Sequence, residues 1–414
     1  MIVVYKRDVN GKIDKTKPRL VADYSRLNTL TSGIVHFQAN TTDILEQLSG
    51  ACLYSSIDLK ESYHQIQMDP RDVSKTSIST HVGTYEFVCA NYGLKSAGSF
   101  LQKALNVVFS GLSPEWISVF VDDILLYTQV GDPVEKHLEY LDKTLQCLAS
   151  YGFLININKC KFLQKQIEFL GLELGNNSST IAERNVKVIR DMKFPENRKA
   201  LKRVLGFFGF YRRYVSNFSK RVTNLRDLAN SDKTFIFNDN CKNKFNDLRE
   251  CLMSKPILTY YNAKYPVILK TDASKNSLGA ILSHVIQGEE HPIAYASRVL
   301  KKHERLWKVQ DQEAYSIIWA LEYFKFWLIN HEDITIYTDN HNLCYLQAKA
   351  DKSGRYGRWL IRLNMFKAKL VHRKAEKHVD VDCISRLHAD GMDDSPTFCG
   401  FVGTDDWEQA YEND

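Results

Sequence analysis

Two apolar, β-prone runs, Ile117-Ser-Val-Phe-Val and Ile124-Leu-Leu-Tyr-Thr, flank two adjacent acids, Asp122 and Asp123. Such a pattern predicts a hairpin with the acids at its turn. A second apolar run, Tyr54-Ser-Ser-Ile-Asp-Leu59, predicts a strand ending in a third acid, Asp58. Upstream, Val3-Val-Tyr-Lys-Arg and Lys17-Pro-Arg-Leu-Val flank a polar turn from Asp8 to Gly11, so two short strands are expected within residues 1–35. Residues 134–174 predict a helix from Val134 to Tyr151 and then two strands. From 180 to 232 the pattern is helical, with Leu201, Val204, Leu205 and Phe208 at i, i+3, i+4, i+7 on one apolar face. Residues 233–262 look like a short connection. The period then changes: Val267-Ile-Leu-Lys-Thr-Asp272 and Ile334-Thr-Ile-Tyr-Thr-Asp339 are strands with the same ending. Between them, Gln312 to Asn330 predicts a helix with Glu313 in its first turn, in line with Ile317, Ala320 and Phe324 and so toward the sheet.

A chain of 414 residues predicts two to four domains. Hydrophobic content of 44% and charged content of 25% suit a globular protein with real cores. No apolar run approaches the roughly 20 residues of a membrane span, and the start, Met1-Ile-Val-Val-Tyr-Lys-Arg, does not read as a secretory signal. Nine scattered cysteines without a Cys-x-x-Cys pair read as reduced thiols of an intracellular protein. The net charge of +6 hides an asymmetry. The tail His388–Asp414 holds eight of the 49 acids and no Lys or Arg, which leaves 55 basic residues against 41 acidic ones elsewhere, a net +14. A basic body suits a polyanionic partner.

An isolated Asp-Asp pair is most simply a polar turn. Here the third acid changes the reading. Three carboxylates at neighbouring strand ends repel one another unless cations bind, and Mg²⁺ suits an all-oxygen site. Two such ions can hold the attacking and leaving oxygens of a phosphoryl transfer. The later half offers a second set: the strand-end aspartates Asp272 and Asp339, the helix glutamate Glu313, and a late aspartate within His378-Val-Asp-Val-Asp-Cys-Ile-Ser-Arg386.

Phe120-Val-Asp-Asp123 resembles the polymerase signature of reverse transcriptases, and Ile57-Asp-Leu-Lys-Glu-Ser-Tyr-His-Gln-Ile-Gln-Met-Asp69 resembles their first catalytic motif. Together, in this order, they are similar to the Pol region of gypsy-type LTR retrotransposons, over about Lys6 to Arg386. The resemblance implies an α/β (α+β) fold: a right-hand polymerase with partial fingers and palm over 1–177 and a thumb over 178–232. A connection over 233–262, an RNase H-like domain over 263–388 and an acidic, disordered tail over 389–414 would follow. It implies an RNA-directed DNA polymerase with RNase H activity, a nucleotidyltransferase and endonuclease. Its partners would be RNA template, DNA primer, RNA–DNA hybrid and deoxynucleoside triphosphates, with Mg²⁺ (or Mn²⁺) as cofactor, no membrane, and a cytoplasmic or nuclear location.

Residue by residue, the resemblance implies that Asp58, Asp122 and Asp123, with the Leu59 carbonyl, hold the polymerase metals. Asp272, Glu313, Asp339 and Asp382 would hold those of the nuclease; Asp382 aligns, rather than Asp380, because Cys-Ile-Ser-Arg follows it. Lys6 and Arg19 would grip the triphosphate. Tyr63, five residues after Asp58, would gate against ribonucleotides. Phe169, Leu170 and Gly171 fall in the primer grip. Lys159, in Asn158-Lys-Cys-Lys-Phe, is a candidate proton donor to pyrophosphate beside the plainer reading of a solvated strand lysine. Lys202, Arg203, Arg212 and Arg213 would track the nucleic-acid backbone. His372, ten residues before Asp382, matches the spacing of a histidine in some retroviral RNase H domains, or is a strand-end histidine without a role.

Departures are also legible. The block Asn91-Tyr-Gly-Leu-Lys-Ser-Ala-Gly-Ser-Phe-Leu-Gln102 has Ser96-Ala97-Gly98 where relatives have Asn-Ala-Pro, and Ser77-Ile78 stands where they have Ala-Phe. Asp339 is followed by Asn340, with His341 one place later than usual. The chain starts close to the fingers hairpin, and no protease or integrase motif is found. These features motivate an alternative of another class, a catalytically weak or inactive nucleic-acid-binding remnant of a decayed retroelement. A third reading keeps only the nuclease. The seven intact carboxylates oppose a decayed element, since drift would have reached some of them.

Overall fold

The computed structural model describes residues 2–7, 13–33, 40–112, 115–232, 234–338 and 354–372. They fall into two compact units that divide between Asn177 and Ser178.

In the first unit, β1 (Ile2–Arg7) pairs antiparallel with β2 (Ile13–Val21), which places Arg19 opposite Val4 and Lys6 opposite Asp14. The central sheet has the order β4–β5–β3–β6: β4 (Ile117–Phe120), β5 (Asp123–Gln129), β3 (Ala51–Asp58) and β6 (Lys161–Gln164). Ile124 to Thr128 are all buried, as a central strand covered on both faces requires. Helices α1 (Ala97–Val108) and α2 (Val134–Ser150) supply Leu101, Leu105, Val108 and Leu148 to one core with Ile57, Ile117, Ile124 and Leu126. Each fully buried aliphatic side chain stabilises the fold by roughly 1.5–3 kcal/mol. After α2 the chain makes a further hairpin, β7 (Gln166–Phe169) with β8 (Leu172–Gly175).

The second unit starts with β9 (Ser178–Ile181), paired with β10 (Leu258–Thr259). Between them lie α3 (Glu183–Asp191), α4 (Arg198–Phe210), α5 (Phe218–Asn230) and α6 (Asp239–Met253). Leu201, Val204 and Phe208 are buried as their spacing predicts. The segment read as a short connection contains α6, whose Phe245 packs edge-on to Phe194 at 5.3 Å and against Phe208 at 5.7 Å. Asn238 caps this helix by accepting from the Cys241 amide. Its apolar residues, Phe245, Leu248 and Leu252, are spaced for a helix face, but the polar residues between them conceal the pattern.

A five-stranded sheet follows, in the order β13–β12–β11–β14–β15: β11 (Val267–Ala273), β12 (Ser277–Ile286), β13 (Glu289–Val299), β14 (Ile334–Thr338) and β15 (Lys369–His372). β11 is antiparallel to β12 and parallel to β14, and β14 is parallel to β15. Helix α7 (Val309–Tyr323) packs Ala314, Ile317, Ile318 and Leu321 onto the sheet. It ends at Phe324, short of the predicted Asn330, and a separate turn runs from Lys325 to Leu328. α8 (Gly354–Asn364) adds Trp359 and Leu363 to the same core. No described helix is long and apolar enough to cross a membrane.

Burial in this unit has a pH signature. His284 on β12 is fully buried and its Nε2 accepts a hydrogen bond from the Asn262 amide at 2.9 Å, so protonation there would break that bond. Burial pushes its pKa from 6.5 down to about 4, and burial likewise lowers His331. A depressed histidine favours the folded state fully above pH 6.5, and that advantage is lost as pH falls toward 4, because the unfolded chain takes up the proton first. The unit is therefore expected to lose about 2 kcal/mol between pH 7 and pH 5 from His284 alone. Urea melts of wild type and His284→Gln at the two pH values check this; an equal acid loss in both would contradict it.

Candidate active sites

In the first unit the acids meet by strand pairing. Asp58 is the last residue of β3 and lies directly opposite Asp123, the first residue of β5. Phe120 also pairs with Asp123, so Val121 and Asp122 form a two-residue turn. Val121 sits at φ +53°, a left-handed conformation that is costly for a β-branched residue. Like charges placed directly across a strand pair repel. The cation now beside Asp58 is Lys159, whose ammonium lies 3.2 Å from both carboxylate oxygens. Lys159 is in a turn after α2 rather than on a strand. The backbone here is ordered by the Lys60 amide donating to the Leu154 carbonyl and the Asn156 amide donating to the Asp58 carbonyl. That bond pair leaves the intervening Leu59 carbonyl directed away from it.

Among the described residues no three His, Cys, Asp or Glu side chains are drawn into one cluster fit for a metal. Asp58 and Asp123 are brought together, and Asp122 lies next to them in the turn. The donor set suits a hard divalent cation in kind: all its donors are oxygens, and it includes a directly opposed carboxylate pair. Lys6 and Arg19 are placed by register on neighbouring strands. Phe169 and Leu170 are buried, and Leu170 and Gly171 form the two-residue turn of the β7–β8 hairpin with φ of +50° and +73°.

Tyr63 lies in a short 3₁₀ turn, Ser62–Gln65, and packs edge-on to Tyr92 at 5.4 Å. A side chain at Gly98 would lie 3.8 Å from the Tyr63 hydroxyl and 4.0 Å from Val121 Cγ1. The departure from the family's Pro therefore falls between the tyrosine and the acid turn. Gly93 nearby has φ +91°, and a Cβ there would press at 3.0 Å on the Ala22 carbonyl. Asn28 closes this loop, donating to the Gly93 carbonyl at 2.7 Å and accepting from the Lys95 amide at 2.8 Å.

Sequence reading missed Gln102. This side chain, 6% exposed on α1, accepts from the Val121 amide at 2.6 Å. It donates to the Val119 carbonyl at 3.3 Å and to Asn106 Oδ1 at 2.9 Å. It thus holds the incoming side of the strained turn that presents Asp122 and Asp123. The only signal was a glutamine on the buried face of an apolar helix. Gln102→Leu should slow primer extension by about 10- to 100-fold, as loss of an outer support does. Adding Val121→Gly should recover part of that loss, because glycine accepts positive φ unaided. Single-turnover extension by the two variants is the measurement; no recovery in the double variant would remove the strained turn from the explanation.

In the second unit, Asp272 lies near the end of β11, opposite Gly279 on β12. Glu313 is half-buried and is the fifth residue of α7, past its first turn because the helix begins at Val309, before the predicted Gln312; the helix packs on β11. Lys270 and Tyr337 are parallel register partners, and in the sequence Asp272 and Asp339 each come two residues after them. Asp339, His341, Asp380 and Asp382 lie outside the described residues, as do the acidic tail and the side chain of His372, which ends β15. Two of the four expected nuclease acids can thus be placed.

One unit holds a pair of strand-opposed acids with a third in the adjoining turn, and the other holds a mixed five-stranded sheet packed by a helix that bears Glu313, the arrangement that the sequence resemblance implies. The family comparison agrees: residues 5–174 match "Reverse transcriptase (RNA-dependent DNA polymerase)" and residues 262–366 match "RNase H-like domain found in reverse transcriptase". The chain belongs to the reverse transcriptase–RNase H region of retrotransposon Pol polyproteins. It is 30% identical over 397 residues to the Pol polyprotein of transposon opus of Drosophila melanogaster, covering 93% of this chain and 39% of that one. To that of transposon gypsy of the same fly it is 28% identical, covering 91% and 37%. The Tf2-3 polyprotein of Schizosaccharomyces pombe (strain 972 / ATCC 24843) is 26% identical, covering 96% and 31%. The chain spans about two fifths or less of these relatives. Among solved structures, the foamy viral protease-reverse transcriptase in complex with dsDNA shares the fold, with a TM-score of 0.70, 21% identity and coverage of 90% of this chain and 77% of that one.

Proposed function

We propose that the chain is an RNA-directed DNA polymerase with ribonuclease H activity, extending a DNA primer on an RNA template and cutting the RNA of the resulting hybrid. The observation that carries this reading is the direct pairing of Asp58 with Asp123 at the mouth of the first unit's sheet. Asp58, Asp122 and Asp123, with the Leu59 carbonyl, would hold two Mg²⁺ ions, which supply charge neutralisation and an activated attacking oxygen. Lys159 would give up Asp58 as they bind and remain within reach of the leaving pyrophosphate. Lys6 and Arg19 would take the triphosphate, Arg19 by its planar fork. The primer-grip turn at Phe169, Leu170 and Gly171 would support the primer end.

In the second unit, Asp272 and Glu313 would act with Asp339 and Asp382 on the RNA strand, with a second pair of Mg²⁺ ions. Hybrid shape and 2′-hydroxyl contacts, rather than base readout, would select the substrate. The foamy viral relatives were solved with dsDNA and with RNA/DNA hybrid, which supports nucleic-acid partners for this chain. The test is primer extension on a homopolymer RNA template with Mg²⁺, with Mn²⁺ and with neither. Extension that depends on the metal supports the reading; no extension with either metal would favour the inactive remnant or the nuclease-only chain.

Tyr63 is the proposed discriminator against ribonucleotides. A ring under the sugar leaves no room for a 2′-hydroxyl, and Tyr63 is held by Tyr92 close to the acid turn. Tyr63→Ala is expected to raise ribonucleotide use relative to deoxynucleotide by at least about tenfold, the size of one lost steric contact. Single-nucleotide extension with each substrate measures the ratio, and an unchanged ratio would refute the gate.

A further inference from the structure

The sheet row that carries Asp272 runs on through Gly279 to Ser297, since Asp272 pairs with Gly279 and Gly279 pairs with Ser297. The start of α5 is fastened to that row. The Ser219 amide donates to Ser297 Oγ at 2.9 Å, and Ser219 Oγ donates to the Ser297 carbonyl at 2.9 Å. Asn217, buried and left-handed at φ +49°, fills the space above Gly279: a Cβ on that glycine would overlap Asn217 Oδ1. A side chain at 279 would have to displace the Asn217 side chain. The next residue after the Ser219 clamp is Lys220, half-buried. α5 packs along β13, and Lys220 and Asp272 are near enough to interact as opposite charges. Lys244 on α6 and Arg221 add positive charge to the same spot. Arg221 is occupied by Asp247 and by the Ser216 carbonyl at 3.0 Å.

We propose that the first turn of α5 is part of the nuclease site, and that Lys220, seated by Asn217 and Ser219, contacts a phosphate of the RNA strand next to the bond being cut. This rests on the nuclease reading of Asp272 and Glu313. A lone carboxylate set repels a polyanion, and a lysine held beside it draws the phosphodiester in. Lys244 deepens the same local field. The contact is electrostatic and blind to base sequence. It also implies that the nuclease sheet needs the helices before it, because one wall of its site comes from them.

The test uses the full chain and a labelled RNA–DNA hybrid at several salt concentrations. Lys220→Gln should raise KM for the hybrid about tenfold, the size expected of one hydrogen bond to a charged group. It should keep kcat within about twofold and make the salt dependence of kcat/KM shallower by about one in log–log slope. Lys220→Arg should restore KM. Gly279→Ala, confirmed folded by its melting curve, should unseat the helix and raise KM as Lys220→Gln does. An unchanged KM and salt slope in Lys220→Gln overturns the proposal, and so does a loss confined to kcat. Asp272→Asn separates the two levels: persistent cleavage by that variant would refute the nuclease reading itself, whatever Lys220 does.

Discussion

Asp123→Asn is expected to abolish primer extension and leave hybrid cleavage intact. Asp123 is paired across the sheet with Asp58 and starts the strand at the acid turn, so both the charge and its position matter. Asparagine keeps the shape and can still take the strand's backbone pairing. It removes the negative charge that a divalent cation needs, and relieves the like-charge repulsion with Asp58, so the fold should be no less stable. Loss of a mere outer support costs about 10- to 100-fold, so loss of a proposed ligand should cost more than about a hundredfold. Asp272 and Glu313 belong to the other compact unit, with a core of its own, and their cleavage should stay within about twofold of wild type. Extension assays and hybrid cleavage on one preparation test both halves. Wild-type extension by Asp123→Asn would mean that the palm site has been misassigned.

The features legible in the sequence were those that depend on local period and on acids at strand ends. Alternating and continuous apolar runs placed β3, β4, β5, β11 and β14, and the i, i+3, i+4, i+7 face placed α4. What stayed hidden depends on contacts distant in sequence. Gln102 is 19 residues from Val121, and nothing local shows that its amide would reach a strained backbone. The Ser219–Ser297 clamp spans 78 residues between two unremarkable serines. Gly279 reads as a strand glycine, and only its closeness to Asn217 shows that a side chain there would have to displace it. α6 was hidden for another reason: many polar residues on a helix whose buried stripe is narrow. Lys159 was read as a strand lysine because Lys161–Gln164 follows directly, whereas the turn before that strand carries it onto Asp58.

Glu313→Gln is expected to give the reverse outcome, with hybrid cleavage falling by more than about a hundredfold while primer extension persists. Glu313 is the fifth residue of α7, and its helix is anchored on β11 by Ile317, Ala320 and Leu321. The side chain is therefore held by a rigid element rather than a loop. Glutamine preserves length and most packing. A drop in cleavage without a drop in melting temperature would thus report on charge at the site. If Glu313→Gln cuts a labelled RNA–DNA hybrid at the wild-type rate in Mg²⁺, Glu313 is an ordinary helix glutamate and the nuclease acids must be sought elsewhere. If both activities fall together, the two units are not functionally separable, and the outcome expected for Asp123→Asn fails with it.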